Sequence, residues 1–343
     1  MPLPKEAGKI HYLKSLPKPS SSSSKEEWVE RLEKKIDNLE KEFRAAQTSA
    51  SKSEILPLIQ NLEKRFQEVL HSFLSARSSG SNEEFEIDEF GMDPALVKKV
   101  KPFFNFLYYN YWRVSVKGMN QIPNEGRGLI VSNHSGTLPY DGSMIAASII
   151  NEHTSRKDVR FLVEDFVYHF PFLGTFIYRT GGVRACPENA ERLLETNHLV
   201  VVFPEGIKGI GKHYKNRYRL QRFGRGGFIK LALRTGSPII PTAVIGAEEI
   251  HPLIYKSTIL ARAFGIPYIP VTPSFPLLGP LGLVPLPSKW TIQFGEPIDF
   301  AKEYGPEAAE DQLLVNKLSE VVREKIQQMI FENLKNRRSI WFG

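Results

Sequence analysis

The stretch Leu129-Ile130-Val131-Ser132-Asn133-His134-Ser135-Gly136-Thr137-Leu138-Pro139-Tyr140-Asp141-Gly142 runs from an apolar segment into a polar loop. Residues 129–131 read as a buried strand. The run stops in Asn133-His134-Ser135-Gly136, polar and flexible, where a strand ends and a loop opens. Beyond Pro139 and Asp141, Met144-Ile145-Ala146-Ala147-Ser148-Ile149-Ile150 is apolar enough for a buried helix. Strand, loop and helix in that order put His134 at the carboxyl end of a strand, where α/β sheets hold their ligands. Asp141 is the one carboxylate between Glu125 and Glu152. Proline and glycine let the loop turn back, so that Asp141 can bond one ring nitrogen of His134 and leave the other as a general base. A loop histidine beside a helix-capping aspartate would look the same, and within this stretch alone that plainer reading comes first.

The alternation continues downstream. Residues 159–163 and 199–203 read as strands, 187–195 as a helix opened by Pro187, 228–234 as a helix, and 239–245 and 290–294 as later strands. A long helix is expected over about 307–334, with Leu314, Leu318, Val321, Val322, Ile326, Met329 and Ile330 on one face. This pattern predicts an α/β fold, a mostly parallel sheet flanked by helices.

Upstream, residues 1–24 end in a serine run after Pro17 and Pro19 and read as a disordered leader. Over 25–77, Val29, Leu32, Ile36, Leu39 and Phe43, then Ile55, Ile59, Leu62, Phe66, Val69 and Phe73, step by three and four. These narrow stripes predict an N-terminal helical hairpin appendage that packs or self-associates through 26–76. An acidic linker, 78–92, separates it from a domain spanning 93–343. That domain opens on Asp93-Pro94, a cap followed by proline at the first helical position. The following segment, 98–113, combines lysines with seven aromatic residues and contains Pro102, where a kink is expected. It suits a membrane interface and a core helix equally well.

The chain has 343 residues, 41% of them hydrophobic and 24% charged, which excludes wholesale disorder. Its net charge of +7 favours anionic partners. A single cysteine, Cys186, excludes an internal disulfide and a cysteine-based metal site, and eight scattered histidines show no ligand spacing, so no metal is expected. Residues 1–18 carry no apolar core of signal-peptide type, and no spanning segment is found, so a reducing compartment is expected. Residues 266–287 hold seven prolines and no charge. They predict an apolar extended loop that covers the core or meets something greasy.

A second motif completes the picture. The strand Leu199-Val200-Val201-Val202-Phe203 runs into Pro204-Glu205-Gly206-Ile207-Lys208. Backbone N–H groups, a carboxylate and a cation at one strand end can hold a polar or phosphorylated headgroup. Together with Asn133-His134 and Asp141 about seventy residues earlier, this resembles the glycerophospholipid acyltransferase family, which includes the 1-acylglycerol-3-phosphate acyltransferases. Gly236-Ser237-Pro238-Ile239-Ile240-Pro241-Thr242-Ala243-Val244 is similar to a later strand of that family. The resemblance covers roughly 100–300. It departs in three places: six residues separate His134 from Asp141 instead of the usual four, Ile207-Lys208 replaces Thr-Arg, and the family's arginine motif is loose, with Arg184 preferred over Arg179 beside Gly181-Gly182.

The resemblance implies a membrane-associated O-acyltransferase that moves a fatty acyl group from acyl-CoA or acyl carrier protein, as co-substrate, to a hydroxyl of a glycerolipid. His134 would be the general base and Asp141 its orienting partner. Arg184, Phe203, Glu205, Gly206 and Lys208 would bind substrate, with no bound cofactor. A lysophosphatidate or other lysophospholipid acceptor leads, and diacylglycerol or another neutral lipid follows. The lipid acceptor and acyl-CoA would be met on the cytoplasmic face of a membrane by a peripheral or monotopic protein, through 98–113 or 266–287. The basic run Lys212-His213-Tyr214-Lys215-Asn216-Arg217-Tyr218-Arg219, with Arg222 and Arg225, could meet coenzyme A phosphates or an anionic bilayer, or be a solvated loop. It is also the main support for nucleic-acid binding, for which no module is visible. A catalytically inactive scaffold is the remaining alternative.

Overall fold

The structure is a computed structural model; it describes residues 87–136, 138, 140–156, 159–169, 173–257, 261 and 268–343. The leader (1–24), the hairpin (25–77) and the first part of the acidic linker (78–86) lie outside the described residues.

The domain begins where Asp93 caps helix α1, Pro94–Asn105, by accepting the N–H of Leu96. Proline at the first helical position has no N–H to leave unsatisfied. Pro102 lies inside this helix, which passes directly into a π-helical turn, Phe106–Tyr111. Then follow β1 (Ser115–Lys117), β2 (Gly128–Ser132), α2 (Tyr140–Glu152), β3 (Val159–Val163), α3 (Leu173–Arg179), β4 (Gly182–Arg184), α4 (Pro187–Glu195) and β5 (Leu199–Val202). The second half comprises α5 (Ile207–Ile210), α6 (Gly227–Thr235), β6 (Ile239–Ile245), β7 (Tyr255–Ser257), β8 (Ile269–Val271), β9 (Thr291–Phe294) and α7 (Gln312–Lys335). The last helix starts later than its apolar face implies. A 3-10 turn, Pro306–Glu310, precedes it, and the Asp311 carboxylate caps it by accepting the N–H groups of Leu313 and Leu314.

Seven strands form one sheet in the order β1-β9-β6-β2-β5-β3-β4. Every pairing is parallel except β6 with β9. The central strands β2, β5 and β6 are buried at every residue, the continuous apolar run expected where helices cover both faces. Leu129, Val131, Val200, Val202 and Ile239 turn to one face, into a core with Leu193 and Leu194 of α4, Ile229 and Leu233 of α6, and Val322 and Ile326 of α7. Alternation sends Ile130, Val201 and Ile240 to the other face, where they are equally buried.

The aromatic segment 98–113 belongs to the core. Phe103, Phe106, Leu107, Tyr108, Tyr111 and Trp112 are buried, Trp112 stacks on Trp290 at 4.6 Å, and Tyr109 is exposed. The Tyr111 hydroxyl donates to the carbonyl of Pro285 and the Trp112 ring N–H to that of Leu286, so the aromatic helix ties down the end of the proline-rich loop. That loop is more structured than its prolines imply. Strand β8 pairs antiparallel with β7 in a two-stranded sheet, Pro270 facing Lys256, and Gly279–Leu283 forms a 3-10 turn. Proline survives in this strand because only one edge needs to donate hydrogen bonds.

Candidate functional site

Parallel register assembles the site. Val131 of β2 lies opposite Val202 of β5, so the residues just beyond both strands emerge side by side at one edge of the sheet. One is His134 and the other is Phe203. Their rings stack at 4.3 Å and 19°. The loop after β2 is held at each residue. The Asn133 side chain donates to the carbonyl of Val244 (3.0 Å) and accepts its N–H (2.8 Å), pinning the loop to β6. The His134 N–H donates to Glu205 Oε1 at 3.0 Å, and the Ser135 N–H to Asp141 Oδ2 at 2.8 Å. Gly136 turns the chain with φ +84°, where a side chain would also crowd the Ala247 carbonyl.

Asp141, in the first turn of α2, is fully buried. Its Oδ1 accepts the N–H of Gly142, and its Oδ2 lies 2.8 Å from His134 Nδ1. The extra residues in the His134-to-Asp141 loop therefore do not separate the pair. A carboxylate on Nδ1 sets the proton there and leaves Nε2 unprotonated, the tautomer a base needs. The His134 side chain is 14% exposed, and it borders a cavity of about 440 Å³. Small-molecule sites occupy about 300–1,000 Å³. Phe104, Phe161, Phe166, Phe176 and Ile177 make much of the wall apolar, while Arg225, Lys230 and Arg234 bring cations to it.

The remaining expected residues divide. Phe203 and Gly206 line the cavity. Gly206 has φ +53°, and a Cβ there would sit 2.5 Å from Glu164 Oε1, so only glycine fits the turn. Glu205 turns inward: it is buried, and beyond His134 it accepts the N–H of Gln221 at 2.7 Å and pairs with Lys212. It holds the protein together where the acceptor had been expected. Lys208 is exposed and lies outside the cavity lining. Arg184 is exposed, forms an ion pair with Asp165 through two N–H groups and likewise lies outside that lining. Arg179, the weaker candidate, pairs with Asp93.

The basic run 212–225 is not one cationic surface. Lys212, Tyr218, Leu220 and Phe223 are buried, and Arg217 lies over the Tyr214 ring. Burial lowers the Lys212 pKa, but Glu248 and Glu205 outweigh it and hold the ammonium charged. Burial pushes the Glu248 carboxyl up to about 7 against the pull of Lys212, because two carboxylates share one ammonium. From an ordinary 4.5 to 7, the folded protein then binds a proton that the unfolded chain releases, so this group's contribution falls as pH rises through that window. Relative to the native protein, Glu248→Gln should gain about 3 kcal/mol between those limits, read from urea melts across the range. A difference independent of pH would show that Glu248 does not titrate there.

Sequence reasoning missed Asn133's clamp, Lys212 with Glu248, and Gly209. A Cβ on Gly209 would lie 2.8 Å from both Glu205 Cβ and His134 Cβ. The signal was the second glycine in the Gly206-Ile207-Lys208-Gly209 turn, which marks a close backbone approach.

A family model described as Acyltransferase matches residues 113–245. An uncharacterized protein of Mycobacterium tuberculosis is 43% identical over 316 residues, 92% of this chain and 86% of its own length. Phytyl ester synthase 1, chloroplastic, of Arabidopsis thaliana is 24% identical over 251 residues, 65% of this chain and 34% of its own. Among solved structures, the 1-acyl-sn-glycerophosphate acyltransferase PlsC of Thermotoga maritima aligns with a TM-score of 0.45 at 20% identity, over 71% of this chain and 81% of its own.

Proposed function

The chain belongs to the glycerophospholipid acyltransferase family, and from that premise we propose that it moves a fatty acyl group from acyl-CoA to a free hydroxyl of a lysophospholipid, with His134 as general base. The observation that carries this reading is the 2.8 Å contact of His134 Nδ1 with the buried Asp141, on the wall of a largely apolar cavity. The acceptor's hydroxyl oxygen attacks the thioester carbonyl, and as the C–O bond forms its proton passes to His134 Nε2. The C–S bond then breaks, and the same proton goes to the departing thiolate. Ester and free thiol leave, and the ring returns to neutral. Asp141 stabilises the transient imidazolium, and Phe203 holds the ring plane. A thiolate leaves readily, so no acyl-enzyme is needed. The apolar walls suit the acyl chain.

With Arg184 paired, Lys208 outside the cavity and Arg234 paired with Glu191 and Glu310, the cations that could meet a phosphate are Arg225 and Lys230. Arg225→Ala should raise KM for 1-acylglycerol-3-phosphate roughly tenfold with kcat little changed, since a ground-state charge contact is lost. The displacement of Arg184 and Lys208 is also what favours the second reading, a neutral acceptor such as diacylglycerol. Turnover with diacylglycerol alone, unaffected by Arg225→Ala, would establish that reading in its place.

The lipid must be reached from a membrane surface. Among the described residues no helix is long and apolar enough to cross one. The proline-rich loop instead exposes Leu277, Leu278 and Leu281, Leu277 at 84%. We assign peripheral attachment to this tip, because bare leucines at one turn gain free energy by entering the interface. Replacing all three with serine should lower co-sedimentation with anionic liposomes by about tenfold or more, since each buried leucine contributes on the order of 1.5–3 kcal/mol. Undiminished sedimentation would place the attachment elsewhere.

A further inference from the structure

Outside the cavity, three charged side chains meet beneath the His134 backbone. Lys212 Nζ lies 3.2 Å from Glu205 Oε2 and 2.9 Å from Glu248 Oε1, and all three side chains are almost wholly buried. Glu205 accepts the N–H of His134, and Glu248 accepts the N–H of Tyr218 at 3.1 Å. The lysine is brought there by the turn that begins at Gly206. Its own N–H donates to the carbonyl of Gly209, whose backbone presses against both Glu205 and His134. Three parts of the chain thus meet at one ammonium: the end of β5, the turn after α5 and the residues following β6.

A buried ammonium is a poor way to fill space. Desolvating it costs several kcal/mol, and apolar side chains of similar volume often serve stability as well or better. What a lysine adds here is a fixed charge that localises the Glu205 carboxylate. That carboxylate in turn fixes the backbone of the residue whose ring must meet the substrate. Catalysis is sensitive to such placement, since a shift of about 1 Å can cost on the order of a hundredfold in rate.

We propose that Lys212, anchored by Glu248, is a positioning residue for His134, acting through Glu205. The inference rests on the reading of His134 as the base. Neither Lys212 nor Glu248 touches the cavity that would hold the substrate, so their loss should act on turnover and leave substrate binding alone.

The test is steady-state turnover of acyl-CoA with 1-acylglycerol-3-phosphate by the full-length protein and by Lys212→Met, Lys212→Arg, Glu248→Gln and His134→Ala, with a thermal melt of each. Lys212→Met is expected to lower kcat by about tenfold or more, with both KM values within about twofold of the native ones. Lys212→Arg, which keeps the charge, should recover part of that loss. Glu248→Gln should show a smaller fall with the same split. A folded Lys212→Met protein with native kcat, or one whose loss lies in KM, overturns the proposal. Should Lys212→Met not fold, a folded Glu248→Gln protein with unchanged kcat overturns it equally. Turnover retained by His134→Ala defeats the base reading itself. An inactive His134→Ala beside fully active Lys212 and Glu248 variants defeats only the positioning role.

Discussion

His134→Ala should lose acyl transfer by about 10²–10⁴-fold or more while the protein still folds, because general-base catalysis contributes on that scale. The fold should tolerate the change. The ring sits in a loop beyond a strand end and is partly exposed. Asp141, its buried partner, keeps the N–H groups of Ser135 and Gly142. Losing one contact from a carboxylate that retains two should cost about 1 kcal/mol. Turnover and a thermal melt, measured together, check both halves. Near-native turnover would remove His134 from the mechanism, and a collapsed melt would make it a structural residue.

Asp141→Asn should be nearly as damaging to kcat, again by about 10²–10⁴-fold, through a different cause. A carboxylate oxygen accepts from His134 Nδ1 and from the Ser135 N–H at once. An amide must present either its oxygen or its NH₂ group there. If the NH₂ group faces the ring, Nδ1 becomes an acceptor and the proton moves to Nε2, the position that must be free to take one. If the oxygen faces the ring, the charge that stabilises the imidazolium is still absent. The expected signature is a fall in kcat with KM for both substrates nearly unchanged, since Asp141 is fully buried. A change confined to KM would contradict it.

The strands and helices were legible because their apolar periods are clean. Residues 239–245 and 187–195 are a strand and a helix at those bounds. The pairing of His134 with Asp141 was legible too, through isolation: no other carboxylate lies near in the chain. Strand order was not. That β5 and β2 are neighbours, which brings Phe203 onto the His134 ring, follows from the whole topology and from no local signal. Aromatic residues in 98–113 were ambiguous because rings beside lysines serve an interface and a core alike. The π-helical turn decides it by burying Tyr108, Tyr111 and Trp112 together. The inward turn of Glu205 was hidden for a related reason. A carboxylate next to a glycine at a strand end reads as facing a ligand, and only the return of Lys212, seven residues on, shows that it faces inward. Arg225 is read only as part of a basic run, and Arg184 is preferred over Arg179 because it follows Gly181-Gly182. Yet Asp165 claims it on the exposed surface, while Arg225 reaches the cavity from the loop before α6.

The most direct measurement is product analysis. Full-length protein would be incubated with carbonyl-labelled acyl-CoA and, in separate reactions, with 1-acylglycerol-3-phosphate, other lysophospholipids and diacylglycerol. Free thiol and labelled lipid would be counted together. One new ester is expected for each thiol released with a lysophospholipid acceptor, and neither product from His134→Ala. Thiol release matched by labelled free fatty acid, with no ester on any acceptor, would contradict it.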